Sequence, residues 1–174
     1  MESKAKIAGH SAHQMLIVFP LGLLATSIFF DLIHLATGEA VHAQVAYWMI
    51  IAGMIGGLVA APFGLVDWLA IPQGTRARTI GLIHGLGNVV VLLLFLGSWL
   101  LRWEEPASPG AAAIILSALG VALAVVTGWL GGELVDRLGV AVDDGANLNA
   151  SNSLSGKPAS QPAEGYPADR PRAV

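Results

Sequence analysis

The chain has 174 residues, of which 55% are hydrophobic and only 12% are charged, and its formal net charge is −3. Soluble domains typically carry about 25% charged residues, and a fold of this size could not hide so much apolar surface from water. The small negative charge argues against a nucleic-acid-binding protein. The absence of cysteine excludes disulfides, thiolate metal sites and thiol redox chemistry. The composition therefore indicates an integral membrane protein.

Four apolar runs are each long enough to cross a bilayer, which takes about 20 helical residues. They predict an all-α fold, an integral membrane four-helix bundle formed by residues 1–142. A cleaved signal peptide is the alternative for the first run, but that run exceeds the usual apolar length of such peptides. The predicted spans cover about 16–35, 45–68, 80–101 and 111–134.

The end of the chain differs in composition from the rest. Residues 143–174 are rich in Ala, Gly, Ser, Asn, Pro and Asp and show no apolar periodicity. Such a segment cannot bury enough apolar surface to offset the entropy that is lost on ordering. We therefore predict a disordered C-terminal tail.

Basic residues near the span ends indicate the orientation, because cytoplasmic loops of membrane proteins are enriched in Lys and Arg. With four spans, the N-terminus, the second loop and the C-terminus lie on one side, and the other side has Arg102 alone. This bias predicts a multi-pass protein of the bacterial inner (plasma) membrane, with both termini and the tail in the cytoplasm. The basic residues on that side are Lys4, Lys6, Arg76, Arg78 and Arg137.

Several polar and ionisable residues lie in or beside the apolar runs. An ionisable side chain at the bilayer centre costs roughly 2.5–3.5 kcal/mol on insertion scales, so each one needs a reason. One polar pair, Asp31 and His34, lies near the surface opposite the termini. A larger set, which we call the candidate polar site, lies at the cytoplasmic ends of the spans. It comprises His13, Asp67, His84, Asn88 and Glu133.

Three interpretations of the candidate polar site stay open. In the first, its groups are structural and pair with loop arginines, with carbonyls or with each other. In the second, Asp67, His84 and Glu133 form a relay for a proton, an ion or a polar solute. In the third, one or two histidines hold a b-type haem.

Depth argues against a haem that is bound by two histidines. At 1.5 Å per residue, His84 lies about 6 Å inside its span and His13 about 4 Å outside its own, so their backbones differ in depth by roughly 10 Å. No cofactor is therefore expected, with b-type haem as the alternative. No metal site is predicted, because the acidic and histidine residues lack tight ligand spacing.

Two short stretches of the chain resemble each other. Residues 65–69 read Leu-Val-Asp-Trp-Leu, and residues 134–138 read Leu-Val-Asp-Arg-Leu, 69 positions later. His13 and His84 are 71 residues apart. Duplication of a helical hairpin would explain these spacings, and so would chance similarity among apolar sequences.

A series of motifs in the chain resembles a known family. In order, these are HQMLIVFP at 13–20, Asp31, GLVDW at 64–68, TRAR at 75–78, His84 and GWLGGELV at 128–135. Over about residues 10–142 the series is similar to the DUF2231 family of small bacterial membrane proteins of unknown function, which have four predicted spans. In many members the first motif resembles His-Pro-x-x-Val-His-Phe-Pro, whereas this chain has Gln14 and Val18 in place of the proline and the second histidine. Relatives fused to Rieske-type or c-type cytochrome domains imply a redox setting for those members.

The sequence does not indicate an enzyme, because it has no phosphate-binding loop, nucleophile motif or zinc-protease motif. The default function is a non-catalytic component or scaffold of a membrane complex. Its partners would then be further copies of itself or the proteins of a redox complex, and no nucleic acid is expected. The alternatives are a small carrier that uses the candidate polar site and a haem-binding redox membrane subunit.

Overall fold

The computed structural model describes residues 1–168, and residues 169–174, at the end of the predicted tail, lie outside the described range. Within that range, two short antiparallel strands precede five α-helices. The elements are β1 (Lys6–Ile7), β2 (His10–Ser11), α1 (Ala12–Leu16), α2 (Val18–Thr37), α3 (Ala40–Ala70), α4 (Arg76–Leu100), α5 (Ala111–Gly132), a π-helical segment (Glu133–Arg137) and a 3-10 turn (Ser153–Ser155).

Four helical stretches of the described chain are long and apolar enough to cross a membrane. Their most apolar windows have mean hydropathies between 2.1 and 2.3. Their outer faces carry large apolar side chains that a soluble protein would bury, and Trp48, Val125 and Trp129 are exposed by 67%, 68% and 66%. The predicted membrane four-helix bundle is therefore confirmed. The stretches are Ala12–Thr37, Ala40–Ala70, Arg76–Leu100 and Ala111–Arg137.

Helices α2 and α3 form one closely packed hairpin, and α4 and α5 form a second. The hairpins meet where α3 packs on α4 and where α2 packs on α5. In each hairpin, a glycine of the second helix admits a core side chain of the first. A Cβ atom at Gly53 would lie 2.7 Å from the Leu24 side chain, and one at Gly120 would lie 2.8 Å from Phe95. Glycine thus permits the close approach of the helices in both hairpins.

A fully buried ion pair joins the two hairpins on the side opposite the termini. The guanidinium of Arg102 donates to both carboxylate oxygens of Asp31, at 2.5 and 2.7 Å, and neither side chain is exposed. Its other N–H groups donate to Ser98 Oγ and Ser117 Oγ, each at 3.2 Å. Because a buried charge is costly without a partner, this bidentate and further hydrogen-bonded arrangement is what an apolar interior requires.

The predicted polar pair of Asp31 and His34 does not form. His34 lies near the end of α2, and its Nδ1 is 3.0 Å from the carbonyl oxygen of Glu39. The residue that contacts Asp31 is instead Arg102. A guanidinium from the other hairpin offers Asp31 two parallel hydrogen bonds, which one imidazole cannot provide.

Residues 1–11 pack on the end of the bundle that carries both termini. The buried carboxylate of Asp67, near the end of α3, anchors this segment. Its two oxygens lie 2.8 and 2.9 Å from Ser3 Oγ, and Oδ1 accepts the backbone N–H of Lys4 at 2.7 Å. The backbone nitrogen of Met1 donates to the carbonyl of Gly139 at 2.7 Å. The carboxylate of Asp67 therefore accepts its hydrogen bonds from donors of the N-terminal segment.

The connection between α3 and α4 is closed by Arg78. Its Nη1 donates to the carbonyls of Trp68, Leu69 and Ile71 at 2.6, 3.0 and 3.1 Å. Its guanidinium also lies 3.9 Å from the centroid of the Trp68 ring. One cation thus satisfies carbonyls that the end of α3 leaves without helical partners.

The described part of the tail, 143–168, has little regular structure beyond the 3-10 turn and one bridge between Ala150 and Pro162. It touches the N-terminal segment through Lys6 Nζ, which donates to Asp143 at 2.6 Å and to Glu2 at 3.0 Å. These hydrogen bonds raise the pKa of Lys6, and the bond from Lys6 lowers the pKa of Glu2. Exposed ion pairs of this kind contribute little stability.

Replacing Arg102 by Met should destabilise the protein strongly, because it leaves the Asp31 carboxylate buried without a partner. Breaking a buried pair in this way costs about 3–5 kcal/mol. The double variant Asp31→Leu, Arg102→Met should lose less, since no buried charge then remains. Thermal unfolding in mild detergent measures the order. A single variant as stable as the double would show that the pair is not structural.

Replacing Asp67 by Ala should release residues 1–11 from the bundle, because their acceptor is then gone. Limited proteolysis in detergent should cleave this segment several times faster than in the unchanged protein, while the helices stay protected. Asp136→Ala is the matched control, since Asp136 stands in the similar Leu-Val-Asp stretch but is exposed. Equal cleavage rates in the two variants would remove the anchoring role of Asp67.

Candidate functional site

His13 projects from α1 against the backbone of α3. Its Nδ1 lies 3.1 Å from the carbonyl oxygen of Ala60. Gly64 follows Ala60 by one helical turn, and a Cβ atom at Gly64 would lie 2.8 Å from His13 Cε1. The missing side chain at Gly64 therefore lets the imidazole reach the carbonyl.

His84 projects from α4 against α5 in the same way. Its Nδ1 lies 2.8 Å from the carbonyl oxygen of Thr127. Gly131 follows Thr127 by one turn, and a Cβ atom there would lie 3.2 Å from His84 Cε1. Each hairpin thus holds one half-buried histidine against a carbonyl next to a glycine.

These contacts fix which ring nitrogen carries the proton when each imidazole is neutral. A carbonyl oxygen can only accept a hydrogen bond, so Nδ1 must carry the proton in His13 and in His84. Nε2 then presents its lone pair. Histidines that bind metals in proteins commonly donate their second ring N–H to a carbonyl or carboxylate in this manner. The arrangement is therefore suited to binding a metal through Nε2.

The two imidazoles approach each other across the interface of the hairpins. Their centroids are 6.4 Å apart and their planes are nearly perpendicular, at 86°. The predicted depth mismatch of roughly 10 Å between the two backbones therefore does not keep the rings apart. It assumed that the first helix begins at residue 16, whereas α1 begins at Ala12 and carries His13 inside the helical stretch.

Asn88 contacts both the backbone and the ring of His84. Its Nδ2 donates to the carbonyl of His84 at 2.9 Å, and its Oδ1 accepts from Thr127 Oγ1 at 3.1 Å. Nδ2 is also 3.5 and 3.3 Å from the two ring nitrogens of His84. Asn88 Nδ2 thus lies within hydrogen-bonding distance of His84 Nε2.

The candidate polar site is divided in the structure. His13, His84 and Asn88 come together. Asp67 is bonded to the N-terminal segment, and Glu133 accepts from Arg76 Nη2 at 2.6 Å. Neither carboxylate therefore lies with the two histidines. Within residues 1–168, no group of three or more His, Cys, Asp or Glu side chains is placed to hold a metal ion.

Sequence reasoning missed the groups that orient the histidines. Two are the backbone carbonyls of Ala60 and Thr127, which no side-chain motif reveals. Gly64 and Gly131 are visible in the sequence, but they occur among many glycines that pack helices. The usable signal was the spacing, since both pairs are 67 residues apart.

Comparison with protein families identifies one model, described as Predicted membrane protein (DUF2231), that matches residues 9–144. The chain belongs to the DUF2231 family. The match covers all five α-helices of the described chain, so the family is that of the whole bundle. A search of curated proteins and a search of solved structures each gave no significant match. The predicted resemblance is confirmed, and the site must be interpreted from its own geometry.

Histidine NMR should detect the tautomers that this DUF2231 protein imposes. In protein labelled with ¹⁵N-histidine, His13 and His84 should each show a protonated Nδ1 and an unprotonated Nε2 when neutral. Gly64→Val should abolish this signature for His13 but not for His84, because the new side chain would displace only the first ring. If both rings kept their signals in that variant, the assigned contacts would be incorrect.

Proposed function

We propose that this DUF2231 protein is a redox membrane subunit that binds one b-type haem between its two hairpins. His13 and His84 would hold the haem iron. The proposal rests on one observation, the pair of imidazoles from opposite hairpins, each with Nδ1 held by a carbonyl. A ligand at Nε2 of His84 would replace the contact of that nitrogen with Asn88. It refines the broader conclusion that the chain is a four-span membrane component.

The donor set and the spacing fit such a group. Neutral imidazole is a common axial ligand of haem iron. The imidazole centroids are 6.4 Å apart, so both rings could hold one group placed between them. The chain has no cysteine to offer a thiolate instead.

When bound, a haem supplies one-electron exchange, and the protein supplies orientation and surroundings. The carbonyls of Ala60 and Thr127 accept from Nδ1, which increases the basicity of each ligand and fixes the direction of its lone pair. Asn88 contacts the ring of His84 but not that of His13. The two ligands are therefore held similarly but not identically.

A relay for protons or solutes is supported less well by the same contacts. That function needs Asp67, His84 and Glu133 to exchange protons or ligand groups with one another. In the structure, Asp67 accepts a hydrogen bond from Ser3, His84 donates to Thr127, and Glu133 accepts from Arg76. A continuous polar path of these three side chains is therefore not formed.

An absorption spectrum tests the proposal directly. Protein purified in mild detergent from cells supplied with haem should show a Soret band at near-stoichiometric intensity, and the band should shift when dithionite reduces the sample. His13→Ala and His84→Ala should each lose the six-coordinate low-spin spectrum, because each removes one axial ligand. His34→Ala is the control, since His34 lies near the opposite membrane surface.

Loss of haem through misfolding needs to be separated from loss of a ligand. Helix content and elution in size exclusion should be unchanged in the alanine variants. Added imidazole should restore the low-spin spectrum of His13→Gly, because it can occupy the space left by the ring. A featureless visible spectrum of the folded protein would overturn the haem proposal and leave the interpretation as a scaffold in a membrane complex.

A further inference from the structure

The buried residues of the two hairpins occur in the same order and at constant spacing. All three buried residues of α2 have a buried counterpart 71 positions later, in α4 or just after it. His13 and His84 share this spacing. The buried pairs are Leu24 with Phe95, Ser27 with Ser98, and Asp31 with Arg102.

The second helices match in the same manner. All five buried residues of α5 have a buried counterpart in α3, at a spacing of 67 positions. The pairs are Ala46 with Ala113, Tyr47 with Ile114, Ile50 with Ser117, Gly53 with Gly120, and Ala60 with Thr127.

The contacts repeat as well as the positions. Leu24 packs against Gly53 in the first hairpin, and their counterparts Phe95 and Gly120 pack against each other in the second. The histidine of each hairpin meets the carbonyl and the glycine described above. Chance similarity among apolar sequences can produce matched letters, but it does not produce matched tertiary contacts at fixed spacing.

We infer that the bundle consists of two copies of one helical hairpin, related by an approximate two-fold axis along the membrane normal. Both hairpins enter the membrane from the side of the termini, so they form parallel rather than inverted repeats. The inference stands whether or not the histidines bind haem.

The inference gives the buried ion pair a specific role. Asp31 and Arg102 occupy equivalent positions, so identical hairpins would place two like charges face to face in an apolar interior. Opposite charges make the two hairpins complementary to each other. The pair therefore selects the partner of each hairpin, in favour of the other hairpin and against a second copy of itself.

Local differences between the copies are accommodated at their ends. The first hairpin has four more residues between equivalent core positions, which fits the extra turn at the start of α3. After Gly131, the second copy has two more residues than the first before the shared Leu-Val-Asp stretch. The π-helical segment Glu133–Arg137 lies at this point, and π-helical turns are a common way to absorb extra residues in a helix.

Exchange of the two charges tests the inference in the full chain. Arg102→Asp and Asp31→Arg should each lower the unfolding temperature in detergent by roughly 10 °C or more, because each buries two like charges. The double variant Asp31→Arg, Arg102→Asp should recover most of this loss. Recovery should be incomplete, because Ser117 accepts a hydrogen bond from Arg102 in the unchanged protein. Its counterpart in the first hairpin is Ile50, which cannot accept one from the guanidinium placed at position 31.

Two serines provide a control, because its expected result requires the two hairpins to be equivalent. In the unchanged protein, Arg102 donates to Ser98, four residues earlier, whereas Ser27 stands four residues before Asp31. Ser98→Ala should therefore destabilise the unchanged protein more than the exchanged one, and Ser27→Ala should do the reverse. An exchanged protein as unstable as the single variants, or one that does not transfer its dependence to Ser27, would overturn the inference.

Discussion

The rest of the structure depends on one constraint, that polar groups inside a bilayer find their partners within the protein. The Asp31–Arg102 pair shows this most clearly, because both charges are fully buried and the guanidinium also reaches two serine hydroxyls. The pair bridges the hairpins where their helices are otherwise held by apolar contact. It therefore sets which helices meet and at what depth.

The same constraint explains the end of the bundle that carries the termini. There, Asp67 takes its donors from the N-terminal segment, and Arg78 takes its acceptors from the end of α3. The histidines take backbone carbonyls from neighbouring helices. Because these needs are met separately, the two imidazoles are not engaged by the carboxylates or the arginines at this end of the bundle. This division separates structural polar groups from the candidate site.

The fold could be predicted from the sequence because run length, interfacial charge and glycine content act locally. The site could be predicted only in part. His13 and His84 were candidates, but their approach depends on where α1 begins, and a boundary error of four residues reversed the conclusion. The partner of Asp31 was missed because Arg102 lies beyond the end of α4 and 71 residues away from Asp31. Neither feature has a local signal.

Spacing carried information that residue types did not. The echo between the two Leu-Val-Asp stretches was ambiguous as a sequence pattern, since apolar helices reuse few letters. Once the buried positions are known, the spacings of 71 and 67 apply to whole sets of contacts. Core geometry thus preserves a duplication that side-chain identity has largely lost, with Ile50 replaced by Ser117 and Asp31 by Arg102.

Helix α3 has a consequence for the surrounding lipid. With 31 residues it is about 46 Å long, which exceeds the hydrocarbon thickness of about 30 Å. Trp48 and Trp68 lie about 30 Å apart along its axis, and tryptophan favours the boundary between lipid chains and headgroups. The protein is therefore matched to a bilayer of ordinary thickness, and the first two turns of α3 extend into the headgroup layer. In thinner or thicker lipid, the tilt of this helix would change first.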